Sequence, residues 1–588
     1  MLAVATAPAA AAAADKKPKL DQAVSHRGAG PVDVIIRLVP GGHDVVRAKL
    51  AAKGRAITGE HASINALSAT VDAGDLADLD RDPLVVSVSL NAAVHAHQTV
   101  ASPDAAVTLN VLRPIVGSPE TGTPGRGVVV AVIDSGLQER PDLHSQIKAF
   151  YDFTVDGTPR AGKPTDPFGH GTHIAATIAS TGQENGLLFR GLASGAQLIG
   201  LRVLDGLGNG KTSPVINALA FATANKAALG IDVINLSLGH PIYESAATDP
   251  MVQAVEAAVH AGIVVVVSAG NYGINPDTGQ PGYGGITSPG NAPSAITVGA
   301  VNTSATLSRS DDFVAPYSSR GPSWVDGFAK PDVVAPGHRI VADTNGGGYL
   351  YKKYPTWQFK KSGAAGAYSR LSGSSMSAAV VSGVAALVLD ANRTAVDPDG
   401  TPMAPLNPYA VKAILQYTAT PLSGTDPLAQ GSGEINADGA LALTRALDTS
   451  SASWTVSSLP TSTMFGTETN LWSTSIVWGA MALQNLTPDS AVSCANIVWG
   501  TNIVWGTNIV WGTNIVWGTN IVWGTNIVWG TNIVWGTNVV WGTNIVWGTN
   551  VVWGTNIVWG TNIVWGTSLV SNDDAPTAAS CDDMEVCF

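Results

Sequence analysis

From Val32 to His97 the apolar positions switch repeatedly between a period of two and a period near 3.6. "VDVIIRL" reads as a strand, "HDVVRAKLAAKG" as an amphipathic helix and "INALSATVDA" as a strand; "GDLADLDRDP" follows as a helix and "VVSVSLNAAVH" as a strand. This order predicts a small split βαβ unit of the ferredoxin-like kind. After a polar gap, a longer stretch from Pro114 to Leu447 changes character. Its strands are uninterrupted apolar runs, "GVVVAVID", "DVINLSL" and "GIVVVVSAG", separated by helical segments such as "PMVQAVEAAVHAG". Strands without polar alternation are buried on both faces, so the expected fold class is α/β, with a doubly wound, mostly parallel sheet covered by helices on either side. Right-handed crossovers follow, and a site belongs at the carboxyl ends of the strands.

Past Leu447 the Ser/Thr-rich "DTSSASWTVSSLPTST" opens a linker over 448–495. From Asn496 to Thr567 the unit "TNIVWG" recurs with almost no variation. Six is even, so in an extended chain Thr, Ile and Trp share one side and Asn, Val and Gly the other in every copy. Ile-Val-Trp is strand sequence and Gly-Thr-Asn is turn chemistry, which predicts an all-β tail of short strands and corners. If the hexads wind as a β-solenoid, three to a coil, the run makes roughly four coils and its tryptophans, Trp499 to Trp565, stack about 4.8 Å apart. Meandering hairpins are a second arrangement. Self-association between molecules is a third, because identical hexads specify register weakly and no charged residue lies between Ser490 and Asn572. The hexads contain no His, Asp, Glu, Lys, Arg or Cys, hence no catalytic or metal-binding group, and the tail reads as an appendage.

Composition narrows the functional classes. Only 13% of the 588 residues are charged, 45% are hydrophobic and the net charge is -12, which favours an extensive core and disfavours a nucleic-acid partner. Residues 1–31, beginning "MLAVATAPAAAAAADKKPKL", form a leader whose Ala-x-Ala-like end near Ala14 is that of a secretory signal without its basic start. The expected location is therefore secreted or at the cell surface. No uninterrupted apolar run of 18 residues appears elsewhere, so no membrane span is expected. Cys494, Cys581 and Cys587 flank the repeat, the last two in an acidic tail over 568–588. In an exported chain one pair would oxidise, and the sequence does not choose which.

Three segments carry nucleophilic chemistry. "VAVIDSGL" puts Asp134 at the end of a buried strand, "DPFGHGTHIAATIAS" puts His170 at a helix start, and "LSGSSMSAAVVSGVAALVL" puts Ser375 at the start of an apolar helix. A serine hydroxyl is a weak nucleophile until an imidazole takes its proton, and the imidazole needs a carboxylate on its other nitrogen. The helix start at Ser375 also aims backbone N–H groups at a developing oxyanion. Gly169, Gly171 and Gly373 permit the tight turns and close approach that such a site requires. Each segment alone is unspecific. The order Asp, His, Ser on a doubly wound sheet is specific.

On "VIDSG", "HGTH", "NLSLG", "SAGN", "KPDVVAPG" and "GSSMSAA", the chain from about Gly127 to Leu443 resembles the subtilisin-like serine peptidases, the subtilases. The resemblance implies a serine endopeptidase acting on extended polypeptides, with Asp134, His170 and Ser375 as triad and Asn271 as an oxyanion donor. It makes Ser237, Leu238 and Gly239 one wall of the primary specificity pocket and Ser268, Ala269 and Gly270 the other, with Thr287 near the floor. Small walls imply a roomy pocket for apolar or aromatic side chains. "LDGLGNG", Leu204 to Gly210, would pair with the substrate backbone by strand addition. Asp142 and Asn185 match positions that supply oxygens to a structural calcium ion (Ca2+) in the family. Residues 32–100 look like the family's inhibitory propeptide, whose tail, Ala93 to Val100, would run through the active site and be cut there. Ala379 stands where the family has a proline after the nucleophile, and alanine should leave that helix intact. The rival expectation is a surface-displayed or self-associating repeat protein with an inactive protease-like domain.

Overall fold

The computed structural model describes residues 19–97, 112–450 and 461–483, except 28–29, 120, 123, 277, 360–365, 398, 475 and 479–480; it also describes 455–456 and the strands between 502 and 570. The first 18 residues of the leader and all three cysteines lie outside the described residues.

The uninterrupted apolar runs are strands with two buried faces. In β6 (Val129–Asp134), Val130 and Val132 enter one apolar core while Val129, Ala131 and Ile133 enter another. β12 (Val264–Ser268) divides in the same way, Val264 and Val266 against Val265 and Val267. With β7 (Ile147–Asp152), β8 (Gln197–Arg202), β10 (Ile231–Leu236), β13 (Ile296–Asn302) and β14 (Val333–Pro336), they form a parallel array in the order β7-β8-β6-β10-β12-β13-β14. Short antiparallel strands, Arg160–Ala161 on β7 and Phe313–Val314 on β13, complete the sheet.

Helices α3 (His170–Ala179), α6 (Ser374–Thr394) and α7 (Pro408–Tyr417) cover the first face. Helices α4 (Thr212–Ala224) and α5 (Pro250–His260) cover the second. α6 runs through Ala379 without interruption, as alanine allows. By length and composition it could cross a membrane, but its apolar surface is spent inside the core, where nearly all of its residues are buried.

The N-terminal unit is a separate four-stranded antiparallel sheet in the order β2-β3-β1-β4: β1 (Val32–Leu38), β2 (Ile57–His61), β3 (Ala66–Val71) and β4 (Val85–Leu90). α1 (His43–Ala52) and α2 (Ala73–Arg81) lie on one face, where Val34, Ile36, Val46, Leu50, Leu67 and Leu79 make its own core. From the other face Ile35, Ile64 and Ala66 join the core beneath α4 and α5. One strand of this sheet, β2, was not foreseen. Its "ITGEH" is an edge with only His61 buried, so it carries little apolar signal.

The last N-terminal run also divides in two. β4 stays in the sheet, whereas β5 (Ala93–Ala96) leaves it after Asn91 and Ala92 and pairs with the large domain.

In the repeat, Asn502–Trp505 pairs in parallel with Asn520–Trp523, residue for residue, and each later strand does the same three hexads on. The result is three four-stranded parallel sheets.

Candidate active site

Asp134 is the last residue of β6, and His170 is the first of α3, entered through Gly169 at φ 99°. His170 Nδ1 lies 2.8 and 2.9 Å from the two Asp134 carboxylate oxygens, with both side chains fully buried. A Cβ at Gly171 would sit 3.2 Å from that of Asp134, so glycine lets the helix start press onto the strand end.

The loop between them is fastened by Asp166, which sequence reasoning did not single out. Its carboxylate accepts from Ser135 Oγ at 2.8 Å, Gly169 N at 2.8 Å, Thr172 N at 2.8 Å and Thr172 Oγ1 at 2.7 Å. Its signal was present, a carboxylate four residues before the histidine in "DPFGHGTH", where it resembles an ordinary cap. His173, the second histidine of "HGTH", places Nε2 3.1 Å from the carbonyls of both Ile340 and Ser369. Burial and the neighbouring His170 push its imidazole down to about 3, so it is a neutral structural fastener.

Ser375 opens α6. Its Oγ donates to the Ser237 carbonyl at 3.1 Å, and Ser237 Oγ donates to the Ser375 carbonyl at the same distance. Behind this pair, Ser237 Oγ reaches Asn235 Oδ1 at 2.9 Å and Asn235 Nδ2 reaches Ser382 Oγ at 3.0 Å, which ties β10 to α6. The His170 Nε2 atom is buried and has no hydrogen-bond partner among the described residues. The same holds for Asn271 Nδ2, while Asn271 Oδ1 accepts from Ser374 N at 3.0 Å. Asn271 Nδ2 is thus an unengaged donor next to the start of α6, and His170 Nε2 an unengaged ring nitrogen able to accept a hydroxyl proton.

The groove is filled by β5. It lies antiparallel between two edges, β9 (Asn209–Lys211) and β11 (Leu238–Pro241), with His95 opposite Asn209, Val94 opposite Gly210, and Ala96 opposite Leu238. Of the expected pairing edge, Leu204 to Gly210, Asn209 and Gly210 pair with β5, together with Lys211 just beyond it. Asp205 Oδ1 accepts from Leu207 N at 2.8 Å and Asn209 N at 3.0 Å, closing a turn that becomes extended only after Asn209.

Beyond β5, His97 N donates to the Ser237 carbonyl at 3.1 Å, and the His97 carbonyl accepts from Ser375 N at 3.4 Å. The His97 imidazole is buried, with Nδ1 2.7 Å from Ser268 Oγ. A Cβ at Gly239 would strike the ring, 2.8 Å from Cε1. The two expected pocket walls therefore lie on either side of one side chain of this same protein. Thr287 lies behind Ala269 and Gly270: its N–H donates to the Ala269 carbonyl at 3.1 Å, and a Cβ at Gly270 would meet its Cγ2 at 2.9 Å.

Asp142 and Asn185 do come together, Asn185 Nδ2 donating to Asp142 Oδ2 at 3.3 Å. Asp142 Oδ1 also accepts from Glu184 N at 2.9 Å and Thr181 Oγ1 at 3.1 Å, and Asn185 Oδ1 accepts from Phe189 N at 2.9 Å. A hard cation needs six to eight oxygens turned towards it. These oxygens are turned to donors, and among the described residues no group of three or more His, Cys, Asp or Glu side chains could hold a metal ion.

The family model described as "Subtilase family" matches residues 125–436, just over half of the 588-residue chain. Serine protease AprX of Bacillus subtilis (strain 168) is 37% identical over 341 residues, covering 57% of this chain and 70% of its own length. Subtilisin E of the same strain is 34% identical over 345 residues, covering 58% of this chain and 75% of its own. Among solved structures, fervidolysin from Fervidobacterium pennivorans, described as a keratinolytic enzyme related to subtilisin, aligns with a TM-score of 0.55 at 22% identity. That alignment covers 72% of this chain and 63% of fervidolysin, and it speaks to the fold alone.

Proposed function

Because the chain belongs to the subtilase family of serine endopeptidases, we propose that Asp134, His170 and Ser375 are its catalytic triad and that residues 32–97 are its inhibitory propeptide, seen here still seated. The observation that carries this reading is the path of β5 into His97, clamped as a third strand between β9 and β11 with its last carbonyl on the Ser375 N–H.

The chemistry follows from that placement. Ser375 Oγ turns from the Ser237 carbonyl to His170 Nε2, gives up its proton there and attacks the carbonyl carbon of the bound residue. The oxyanion is held by the Ser375 N–H and Asn271 Nδ2, and Asp134 holds the imidazolium that forms. Collapse breaks the C–N bond, and His170 returns the proton to the leaving amine. Water then attacks the acyl-Ser375 ester, with His170 taking its proton, and releases a free carboxylate. In the uncut chain the first bond in line is the one after His97; in the processed enzyme, extended polypeptides add a strand to the same two edges.

We place the enzyme outside the cell, where the leader would send it. The repeat is proposed as a β-solenoid of three hexads per coil, a reading supported by the three-hexad strand offset, with no part in the reaction. Release of peptides from denatured casein tests the enzyme. Ser375→Ala should abolish it, on the order of a 10⁴-fold loss or more, and a serine-directed phosphonyl reagent should abolish it in the unsubstituted chain. Unchanged release by Ser375→Ala would remove the triad assignment.

A further inference from the structure

The expected pocket was roomy and apolar. What occupies the position between its walls is an imidazole, and the contacts to it are specific. His97 is 5% exposed, its N–H and carbonyl are both engaged, and its ring is gripped from two sides. On one side the main chain at Gly239 lies so close that any Cβ there would meet Cε1 at 2.8 Å and Nε2 at 3.1 Å. On the other, Ser268 Oγ stands 2.7 Å from Nδ1.

Ser268 ends β12, and its side chain is fully buried. Its hydroxyl has one proton and two lone pairs, and its other neighbour is the Leu236 carbonyl at 3.5 Å. It can donate to Nδ1, or accept from Nδ1–H while donating to Leu236. An apolar occupant would leave this hydroxyl with only that long contact. A buried polar group stripped of its partner is costly, so the pocket discriminates by what an apolar side chain fails to supply.

We propose that this pocket selects peptide bonds that follow a neutral histidine, and that Ser268 is the residue that makes the selection by hydrogen bonding to the imidazole Nδ1. Asparagine is the next best occupant, because its side-chain oxygen or nitrogen sits one bond beyond Cγ, where Nδ1 does. Phenylalanine and leucine fill similar space and have no polar atom there. Burial together with the imidazoles of His170, His95 and His240 pushes His97 down to about 3, which agrees with an uncharged ring in the pocket. The inference rests on the peptidase reading and on β5–His97 binding as a substrate does.

The test uses the processed enzyme and four quenched fluorescent peptides that differ only in the residue before the cut, His, Asn, Phe or Leu, at a pH where free imidazole is neutral. The wild type should prefer His to Phe in kcat/KM, and Ser268→Ala should lower that His-to-Phe ratio about five- to tenfold, the effect of one neutral hydrogen bond. A ratio that stays within about twofold while all four peptides are still cut overturns the selection by Ser268. No cleavage of any peptide by the wild type overturns it together with the peptidase reading beneath it. Should Ser268→Ala fail to fold, the uncut chain supplies a second reading: self-cleavage of His97→Asn should exceed that of His97→Phe at least about fivefold, and equal rates overturn the proposal.

Discussion

Asn271 shows how much of the site is decided by single atoms. Its Oδ1 is committed to the Ser374 N–H, and its Nδ2 is buried without a protein partner among the described residues. A donor that costs nothing to reorient when charge develops is worth more than one recruited from solvent. Asn271→Leu keeps the bulk and removes the donor; kcat should fall about 10²–10³-fold, the measured cost of one such donor in a protease of this family, with KM changed far less. Steady-state kinetics on one peptide checks it, and a rise in KM at constant kcat would assign Asn271 to binding instead. At this scale the sequence was informative where residue type and neighbours are both distinctive, as in "SAGN" and "HGTH". It was silent about Asp166, whose four hydrogen bonds depend on three separate stretches of loop and helix, and about His97, which is one more histidine in "VHAHQ" until the fold brings Ser268 to it.

Among the elements, strands with two buried faces were the easiest to read, because β6 and β12 have no polar alternation to mislead. β2 was missed because an exposed edge needs few apolar residues, and β5 was merged with β4 because both suit extended backbone; only the tertiary partner separates them. The seam between the two units has a chemistry of its own. Arg37 on β1 donates to the Ala247 carbonyl at 3.2 Å and the Thr248 carbonyl at 3.3 Å, in the loop before α5. In that loop, Glu244 faces Ser89 of β4, Asp249 and the Asp21 carboxylate. Burial first, and then Asp249, pushes its carboxyl up to about 8, well above the usual carboxylate range. With Glu244 protonated in the seated complex and ordinary once the units part, its contribution is fully present below about 4.5 and is lost as pH rises towards and past neutrality. The cleaved N-terminal fragment should therefore leave the enzyme more readily at pH 8 than at pH 5, by roughly tenfold or more, and Glu244→Gln should flatten that dependence. Gel filtration of the cleaved complex at the two pH values measures it. An equally steep dependence in Glu244→Gln would contradict it.

Over the whole molecule, the chain divides its work among three bodies of different legibility. The large sheet and its helices announce themselves in apolar runs and motifs, the N-terminal unit in alternating periods, and the repeat in its period alone. The hexad predicts strands, but its chemistry names no partner; its paired strands lie three hexads apart. The first two bodies share a core and a seam, and one strand, β5, with the residue after it, carries the N-terminal unit to Ser375. If the account is right, the chain is its own first substrate, and the N-terminus of the purified protein records the event. Intact mass and N-terminal sequencing should find the active enzyme beginning at Gln98, and Ser375→Ala should remain joined through His97 under the same conditions. An active enzyme whose N-terminus precedes Val32, or a Ser375→Ala chain cut after His97 all the same, would contradict it.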